Sequence, residues 1–284
     1  MNYYRSLLLL LLIGITQASS AQKKVLLKMA FTPNKTYKTE IVNLMDMEMN
    51  VKGDSAMLAQ IQASGMQLPI IMKMNQVLGT TTKAGAERAD KKVPLLMTFD
   101  KMEVSQTVGG QESTQNTNPF ANAIIEGTAL EDGKIAIDTI KGEIDNALKA
   151  SLRQTVTTMQ ANIKYPKEEL KIGDSFDQEM PMNIPIPEAN MKMIIAIKYI
   201  LKEIKDDKAI FDLKQTISMD VNMTDKNSNA NGIGNGTGTM TYNISKKIAE
   251  ESVSDIKFQF EFNISGLTMA ADCNAKTTTK VTVE

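Results

Sequence analysis

Methionines stand at every second position in several parts of the chain. Met45, Met47 and Met49 form one such run, and further M-x-M pairs occur at 72/74, 180/182 and 191/193. Because successive side chains of a strand point to opposite faces, each pair would put two sulfurs on one side. Thioethers are soft donors that suit Cu(I), and they are also adaptable apolar side chains. The spacing therefore leaves three interpretations open: a copper site, a surface for an apolar ligand, and a packed core.

The neighbours of these methionines bear on that choice. Ile41 and Val51 share the predicted face of the first run, and Ile195 and Ile197 share that of Met193. Aliphatic neighbours are typical of a core or ligand-facing stripe, and the chain has no histidine to complete a copper site. Cu(I) binding is a minor alternative, and we expect no cofactor and no bound metal.

The absence of histidine also limits catalysis. It removes the usual general base, every Ser-His or Cys-His nucleophile pair and most zinc sites. Cys273 is the only cysteine, so it has neither a disulfide partner nor a histidine to activate it. We expect a protein that is not an enzyme. A carboxylate-dependent hydrolase is the remaining enzymatic alternative, because acids distant in sequence can converge.

The first 21 residues have the layout of a secretory signal peptide. Arg5 precedes an apolar run from Leu7 to Ile15, and small residues follow from Ala18 to Ala21. We therefore expect an exported protein, in the periplasm of a Gram-negative bacterium or secreted, whose residues 22–284 form a single domain. Without Arg5 the chain has 31 basic and 33 acidic residues, a balance that predicts no nucleic-acid partner. No later apolar run is long enough to cross a membrane as a helix.

Alternation of apolar and polar residues predicts long strands. In the N-terminal half we expect strands near 24–30, 37–51, 68–82 and 93–107, with a bulge near Phe99 to Met102 where the alternation changes phase. Further on, the turn Asp206-Asp207 joins two long amphipathic strands. The apolar series continues at Met240, Tyr242, Ile244 and Ile248, and again at Ile256, Phe258, Phe260, Phe262 and Ile264. Long antiparallel strands twist, so the predicted fold is a mainly β, strongly curved antiparallel sheet, a half-barrel with an apolar trough.

A helical insert is predicted at about 118–163. Apolar residues recur at three- and four-residue spacing from Ile144 to Ile163, which predicts one long helix that covers the trough. A short helix is expected at 118–125, where Asn118 would cap and Pro119 would occupy the first position. The tetrapeptide Glu131–Lys134 predicts a hairpin turn, and residues 55–64 could form a short helix or a loop.

Several short motifs together resemble an uncharacterised family of exported, β-rich bacterial proteins, a domain of unknown function. They are TPNKTY, NPFANA, EDGKI and YPKEELKIGDSF, and the most specific is IGDSF at 172–176. The resemblance implies an architecture similar to the half-barrel of periplasmic lipoprotein carriers, which shelters apolar cargo. It implies no catalytic residues.

The sequence therefore predicts an exported cell-envelope protein that binds a lipid or other apolar molecule non-covalently in a methionine-rich trough. An envelope protein is a second candidate partner. The different-class alternative is a structural or protein-interaction module with a solid core. Ten residues are predicted to line the trough: Met45, Met47, Met49, Met72, Met74, Met193, Met219, Val221, Phe258 and Phe260.

Overall fold

The computed structural model describes residues 23–63, 65–115, 118–161, 164–186, 189–223, 229–264 and 267–284. The predicted signal peptide lies outside these residues, as does Ile163 at the end of the predicted long helix. Strands hold 65% of the chain, so the prediction of a mainly β fold is confirmed. No helix among the described residues combines the length and the apolar composition needed to cross a membrane.

Fourteen strands and two helices are described. The strands are β1 (Lys24–Val25), β2 (Thr36–Lys52), β3 (Ile70–Ala84), β4 (Val93–Val108), β5 (Gln111–Gln115), β6 (Ile124–Ala129), β7 (Ile135–Lys141), β8 (Leu170–Lys171), β9 (Ser175–Ile186), β10 (Ala189–Lys205), β11 (Lys208–Met223), β12 (Asn229–Asn243), β13 (Ile248–Ile264) and β14 (Leu267–Val283). The helices are α1 (Ser55–Ala63) and α2 (Asn146–Ala161).

Twelve of the strands form one antiparallel sheet that is not closed. Its order is β7-β6-β4-β3-β2-β14-β13-β12-β11-β10-β9, and β5 pairs with the far end of β4. The remaining two strands, β1 and β8, form a small separate ladder. Most neighbours in the large sheet are consecutive in sequence; the exceptions are β4 and β6, which flank β5 in the chain, and β14, which returns to pair with β2. The C-terminal strand thus joins the two halves of the sheet.

Local predictions are confirmed at three turns and bulges. Asp206 and Asp207 both have positive φ, 48° and 64°, as the tight β10–β11 hairpin requires. The register of β3 and β4 shifts between Gly79 and Thr80, opposite Lys101 and Phe99, so Asp100 is the extra residue of the predicted bulge. The β6–β7 hairpin turns at 131–134 as expected.

The helical predictions are confirmed only in part. The long helix is present as α2, and α1 forms where helix and loop were equally expected. The short helix predicted at 118–125 is wrong, because the chain makes two turns there and then enters β6. Asn118 does accept a hydrogen bond from the Phe120 N–H at 2.9 Å, but that cap closes a turn and no helix follows. A strand partner in β4 outweighs the local capping signal.

Cross-strand register defines the two faces of the sheet. The inner face contains the odd positions of β2 from Tyr37 to Val51 and the residues paired with them across the sheet. Most of these positions are buried or half-buried, whereas the alternate positions, here called the outer face, are mostly exposed and rich in charge.

Glycines on β12 let the inner face bend sharply. A Cβ placed at Gly234 would lie 2.4 Å from the Cβ of Phe258, and one at Gly238 would lie 2.2 Å from the carbonyl oxygen of Val253. Real Cβ atoms do not approach other heavy atoms so closely. The sheet therefore curves inward along this strand, as long twisted strands do.

One end of the inner face is covered by the N-terminal segment. Val25 and Leu27 are 2% and 1% exposed, and they pack with Phe211 and Tyr242. The Tyr242 hydroxyl donates to the Lys28 carbonyl oxygen at 2.6 Å and accepts from the Lys28 N–H at 3.1 Å. We call this region, which comprises the buried residues around Phe211 and Tyr242, the closed end.

Helix α2 covers a second part of the inner face, at the edge formed by β4, β6 and β7. Leu152 is buried against Phe99, Ile125 and Ile140, and Val156 packs beside it. The predicted role of this helix as a cover is correct, but its contacts are with one edge of the sheet. The buried cluster around Leu152 includes no described residue of the middle strands β2, β14 and β13.

Candidate functional site

The half of the inner face that lies away from the closed end is lined mainly by methionine and phenylalanine. Straight across the strands, Met72 pairs with Met47, Met47 with Cys273, and Cys273 with Phe258. The adjacent rows follow the same register. We call this surface the methionine wall, and it comprises Met45, Met47, Met49, Met72, Met74, Met269, Ala271, Cys273, Phe258, Phe260 and Phe262.

Burial within the methionine wall is uneven. Met47, Ala271 and Cys273 are buried, at 9%, 3% and 3% exposure, while the methionine and phenylalanine side chains around them are half-buried. Phe260 stacks on both Phe258 and Phe262, with ring centroids 6.0 and 5.6 Å apart. The wall therefore has a buried centre and an accessible surface.

The predicted residues on β10 and β11 lie on the same face, on the other side of β12. Met193 pairs with Met219, and Met219 pairs with Gly232, which in turn pairs with Phe260. A Cβ at Gly232 would be 3.2 Å from that of Met219 and 3.1 Å from that of Phe260, so the glycine brings the two sides close together.

All ten predicted trough residues therefore occupy inner-face positions. For Val221 this rests on its pairing with Met191 alone, because its side chain lies outside the described residues. Their role in binding stays a prediction.

The inner face has no charged residue at any position whose side chain is described on β2, β3, β14, β13 or β11. The outer face is the opposite, and its ion pairs include Lys202 with Asp212 at 3.1 Å and Lys280 with Glu251 at 3.6 Å. This division follows the strand period, because lysines and acids occupy the alternate positions. A molecule against these described positions would meet only neutral groups.

A group of uncharged polar side chains lies next to the methionine wall, toward the closed end. Asn43 donates from its amide nitrogen to Gln76 Oε1 at 3.2 Å, and its own Oδ1 accepts from Thr277 Oγ1 at 2.9 Å. Across the sheet, Ser254 Oγ donates to Gln215 Oε1 at 2.7 Å, and Gln215 is 5% exposed. We call these five residues the polar belt.

Cys273 has the chemistry of a buried neutral thiol. Burial raises its pKa to about 11, and the nearby charge of Asp272 acts in the same direction. A thiol in this state is neither a ready nucleophile nor a ready metal ligand. Within the described part of the chain, no three His, Cys, Asp or Glu side chains gather into a group that could hold a metal ion.

Two surface depressions combine charged or polar outer-face residues with residues of the methionine wall, which are Met45 and Met74 in the first and Phe258 and Cys273 in the second. One, of about 380 Å³, is lined by Asp46, Lys73 and Glu112, and another, of about 390 Å³, by Gln259 and Asp272. By register these polar residues belong to the outer face.

The IGDSF motif has a structural role at the sheet edge. Gly173 has φ +95°, and the Asp174 carboxylate accepts from the Lys171 N–H at 3.0 Å, which fixes the turn between β8 and β9. Phe176 then stacks on Tyr199 with centroids 4.6 Å apart. The motif directs the chain from the small ladder into β9.

Sequence reasoning missed the polar belt and the position of Cys273. The alternation that identified Met45 and Met47 also puts Asn43 on their face. Strand alternation alone would therefore have placed Asn43 beside the methionines. The pairing of Cys273 with Met47 could not be predicted from the sequence, because it depends on β14 returning to β2 across more than 200 residues.

No protein-family model and no curated protein matches the sequence. Among solved structures, the beta domain of the Bordetella autotransporter BrkA is similar over 84% of this chain and 98% of its own, at 3% identity and a TM-score of 0.32. Pseudomonas aeruginosa OccK5 (OpdH) covers 87% of this chain and 98% of its own, at 6% identity and a TM-score of 0.26. A triple mutant of the Rh. blastica porin covers 85% and 99%, at 10% identity and a TM-score of 0.25.

These similar structures are outer-membrane β proteins and not the lipoprotein carriers that the sequence resemblance implied. TM-scores of this size carry no argument about function. The interpretation of the site therefore rests on its own residues.

Proposed function

We propose that the protein is an exported cell-envelope protein that binds a lipid or other apolar molecule non-covalently against the methionine wall. The observation that carries the proposal is a contiguous apolar surface, free of charge among the described residues, whose outer layer of methionine and phenylalanine is half-exposed. The proposed location is the periplasm of a Gram-negative bacterium or the outside of the cell, in keeping with the signal-like residues 1–21.

The energetics support binding of a chain-like molecule. Each methylene moved from water to an apolar surface gains roughly 0.8 kcal/mol, so a dozen of them offset the entropy lost on association. Methionine is unbranched and repacks at small cost, which suits ligands of varied shape. The proposed contacts include Met45, Met49, Met72 and Met74 on one side of the trough and Met193 and Met219 on the other.

The alternative is a structural or protein-interaction module with a solid core. The burial of Met47, Ala271 and Cys273 favours it, because neighbouring side chains of the protein cover these three residues. The two candidates differ in whether the half-exposed side chains around that centre take up a small molecule.

Native mass spectrometry of protein purified gently from its own cell envelope, followed by organic extraction, tests the proposal. We expect a near-stoichiometric adduct that extraction identifies as a lipid or another apolar molecule. Met219→Asp puts a charge on the inner face and should abolish the adduct, whereas Ser218→Asp, on the exposed outer face beside it, should retain it. A bare polypeptide mass for the unmodified protein would favour the solid-core module.

A further inference from the structure

The polar belt has hydrogen-bonding capacity that its own contacts do not use. Gln76 and Gln215 each accept a hydrogen bond at Oε1, and among the described residues no acceptor contacts the NH₂ group of either side chain. Gln76 is half-buried on the inner face, so its NH₂ group is the donor open to the trough, whereas Gln215 is 5% exposed and serves as the acceptor for Ser254. The belt therefore places an amide donor directly beside the methionine wall.

The belt also lies at the correct position to meet the polar end of a ligand. Asn43 is two residues from Met45 and six from Met49 along β2, so on this strand the methionine wall begins roughly 7 Å from the belt and extends to roughly 20 Å from it. An extended acyl chain fits along that length. Its polar end would then lie among Asn43, Gln76 and Thr277 on one side and Gln215 and Ser254 on the other.

The composition of the belt restricts the ligand's polar group. Asparagine, glutamine, serine and threonine both donate and accept hydrogen bonds but carry no charge. A carboxylate, a phosphate or an ammonium taken from water to this surface would lose its hydration without gaining an ionic partner, and that loss is costly. A hydroxyl, an ester or an amide would keep its hydrogen bonds.

We propose that the polar belt makes the trough selective for neutral amphiphiles, which have an apolar chain or ring system and an uncharged hydroxyl, ester or amide group. This proposal rests on the proposed function, because it names the ligand class of the same site. The belt supplies hydrogen bonds to the polar group, and the methionine wall holds the apolar part.

Competition against an uncharged apolar fluorophore, N-phenyl-1-naphthylamine, tests the inference on the mature protein. The competitors share one hexadecyl-length chain and differ in the head: monopalmitoylglycerol is neutral, palmitate is an anion and hexadecyltrimethylammonium is a cation. Each is used below its critical micelle concentration. We expect monopalmitoylglycerol to displace the fluorophore at least about tenfold more effectively than either ion, the equivalent of one buried group left unpaired.

Variants separate the belt from the wall. Asn43→Leu combined with Gln76→Leu should remove the preference for monopalmitoylglycerol and leave fluorophore binding in place. Asn75→Leu, on the outer face beside Gln76, should change neither. Thr277→Val changes only a hydroxyl to a methyl group, so it tests the same preference if the double variant fails to fold.

The outcomes distinguish the two proposals. If the fluorophore binds and all three competitors displace it equally, or an ion displaces it best, the belt does not select the head group and the inference is overturned. If the unmodified protein binds neither the fluorophore nor any competitor, the proposed function fails, and the inference fails with it.

Discussion

The closed end and the methionine wall are built from the same sheet but differ in what covers them. At the closed end, Phe211 and Tyr242 are 0% and 1% exposed, because the N-terminal segment and β8 pack over them. On the wall, Phe258 and Phe260 occupy equivalent inner-face positions and stay half-exposed. Alternation along a strand therefore identifies the inner face, while cover from outside the sheet decides which part of it is core.

The two regions also use different side chains. The closed end is rich in branched and aromatic residues such as Leu201, Leu213 and Tyr242, which pack in few rotamers. The wall uses methionine, which has three rotatable bonds and adapts to its neighbours. Side chains with few rotamers suit a fixed core at the closed end, and flexible methionines suit an adaptable binding surface on the wall.

Truncation of one phenylalanine in each region gives the largest expected difference. Phe211→Ala should lower the free energy of unfolding by about 3–5 kcal/mol, because a fully buried ring leaves a cavity. Phe258→Ala should lower the free energy of unfolding by about half as much or less, since the Phe258 ring is partly exposed. Urea unfolding followed by circular dichroism measures both, and equal losses would mean that the wall is as tightly packed as the closed end.

The curvature that forms the trough depends on β12. Gly234→Ala should cost about 1–3 kcal/mol, because the added Cβ would lie 2.4 Å from that of Phe258 and 2.8 Å from the Lys257 carbonyl oxygen. Gly232→Ala is the matched control, with its nearest contacts at 3.1 Å, and should cost less. The same unfolding assay applies, and a reversed order of the two losses would contradict the close approach at Gly234.

Alkaline pH should destabilise the centre of the wall. The pKa of Cys273 is raised from 9.0 to about 11, so between these values the folded protein retains a proton that the unfolded chain loses. Stability is therefore complete below pH 9 and falls as pH rises toward 11, by up to about 1.4 kcal/mol per pH unit. Unfolding titrations of the protein and of Cys273→Ala test this, and parallel pH profiles for the two would be evidence against a buried neutral thiol.

Exchange of methionine for leucine gives the smallest effect. Met72→Leu on the wall should change stability by less than about 1.5 kcal/mol, because the volume is nearly conserved and the side chain has room to adjust. Leu201→Met is the counterpart at the closed end, where the residue is 0% exposed, and it should cost more. Thermal unfolding of both variants measures the difference, and a larger loss for Met72→Leu would indicate a rigid wall.

Much of the sheet could be predicted from the sequence because its information is local. The parity of Met45, Met47 and Met49, the turn at Asp206-Asp207 and the phase change at Asp100 all depend on neighbouring residues. The failed helix at 118–125 shows the limit of this reasoning. There, the capping signal of Asn118 is real, but a partner strand distant in sequence determines the conformation.

The candidate site was predictable in its apolar part alone. Methionine periodicity identified one face of each strand, but the assembly of Met47, Met72 and Cys273 into one surface depends on strand order. The polar belt depends on it even more, because Asn43, Gln76 and Thr277 come from three strands. Interruptions of an apolar stripe by a neutral polar residue, as at Asn43 and Gln215, are the signal that indicates such a belt.

Fluorophore binding by one matched pair of variants tests the central claim most directly. Met72 and Ile71 are adjacent on β3 and point to opposite faces, so Met72→Asp and Ile71→Asp make closely similar changes inside and outside the trough. Both are titrated with N-phenyl-1-naphthylamine after circular dichroism confirms folding. We predict that Ile71→Asp binds like the unmodified protein and that Met72→Asp loses at least about tenfold in affinity. Equal binding by the two variants would contradict a ligand site on the methionine wall.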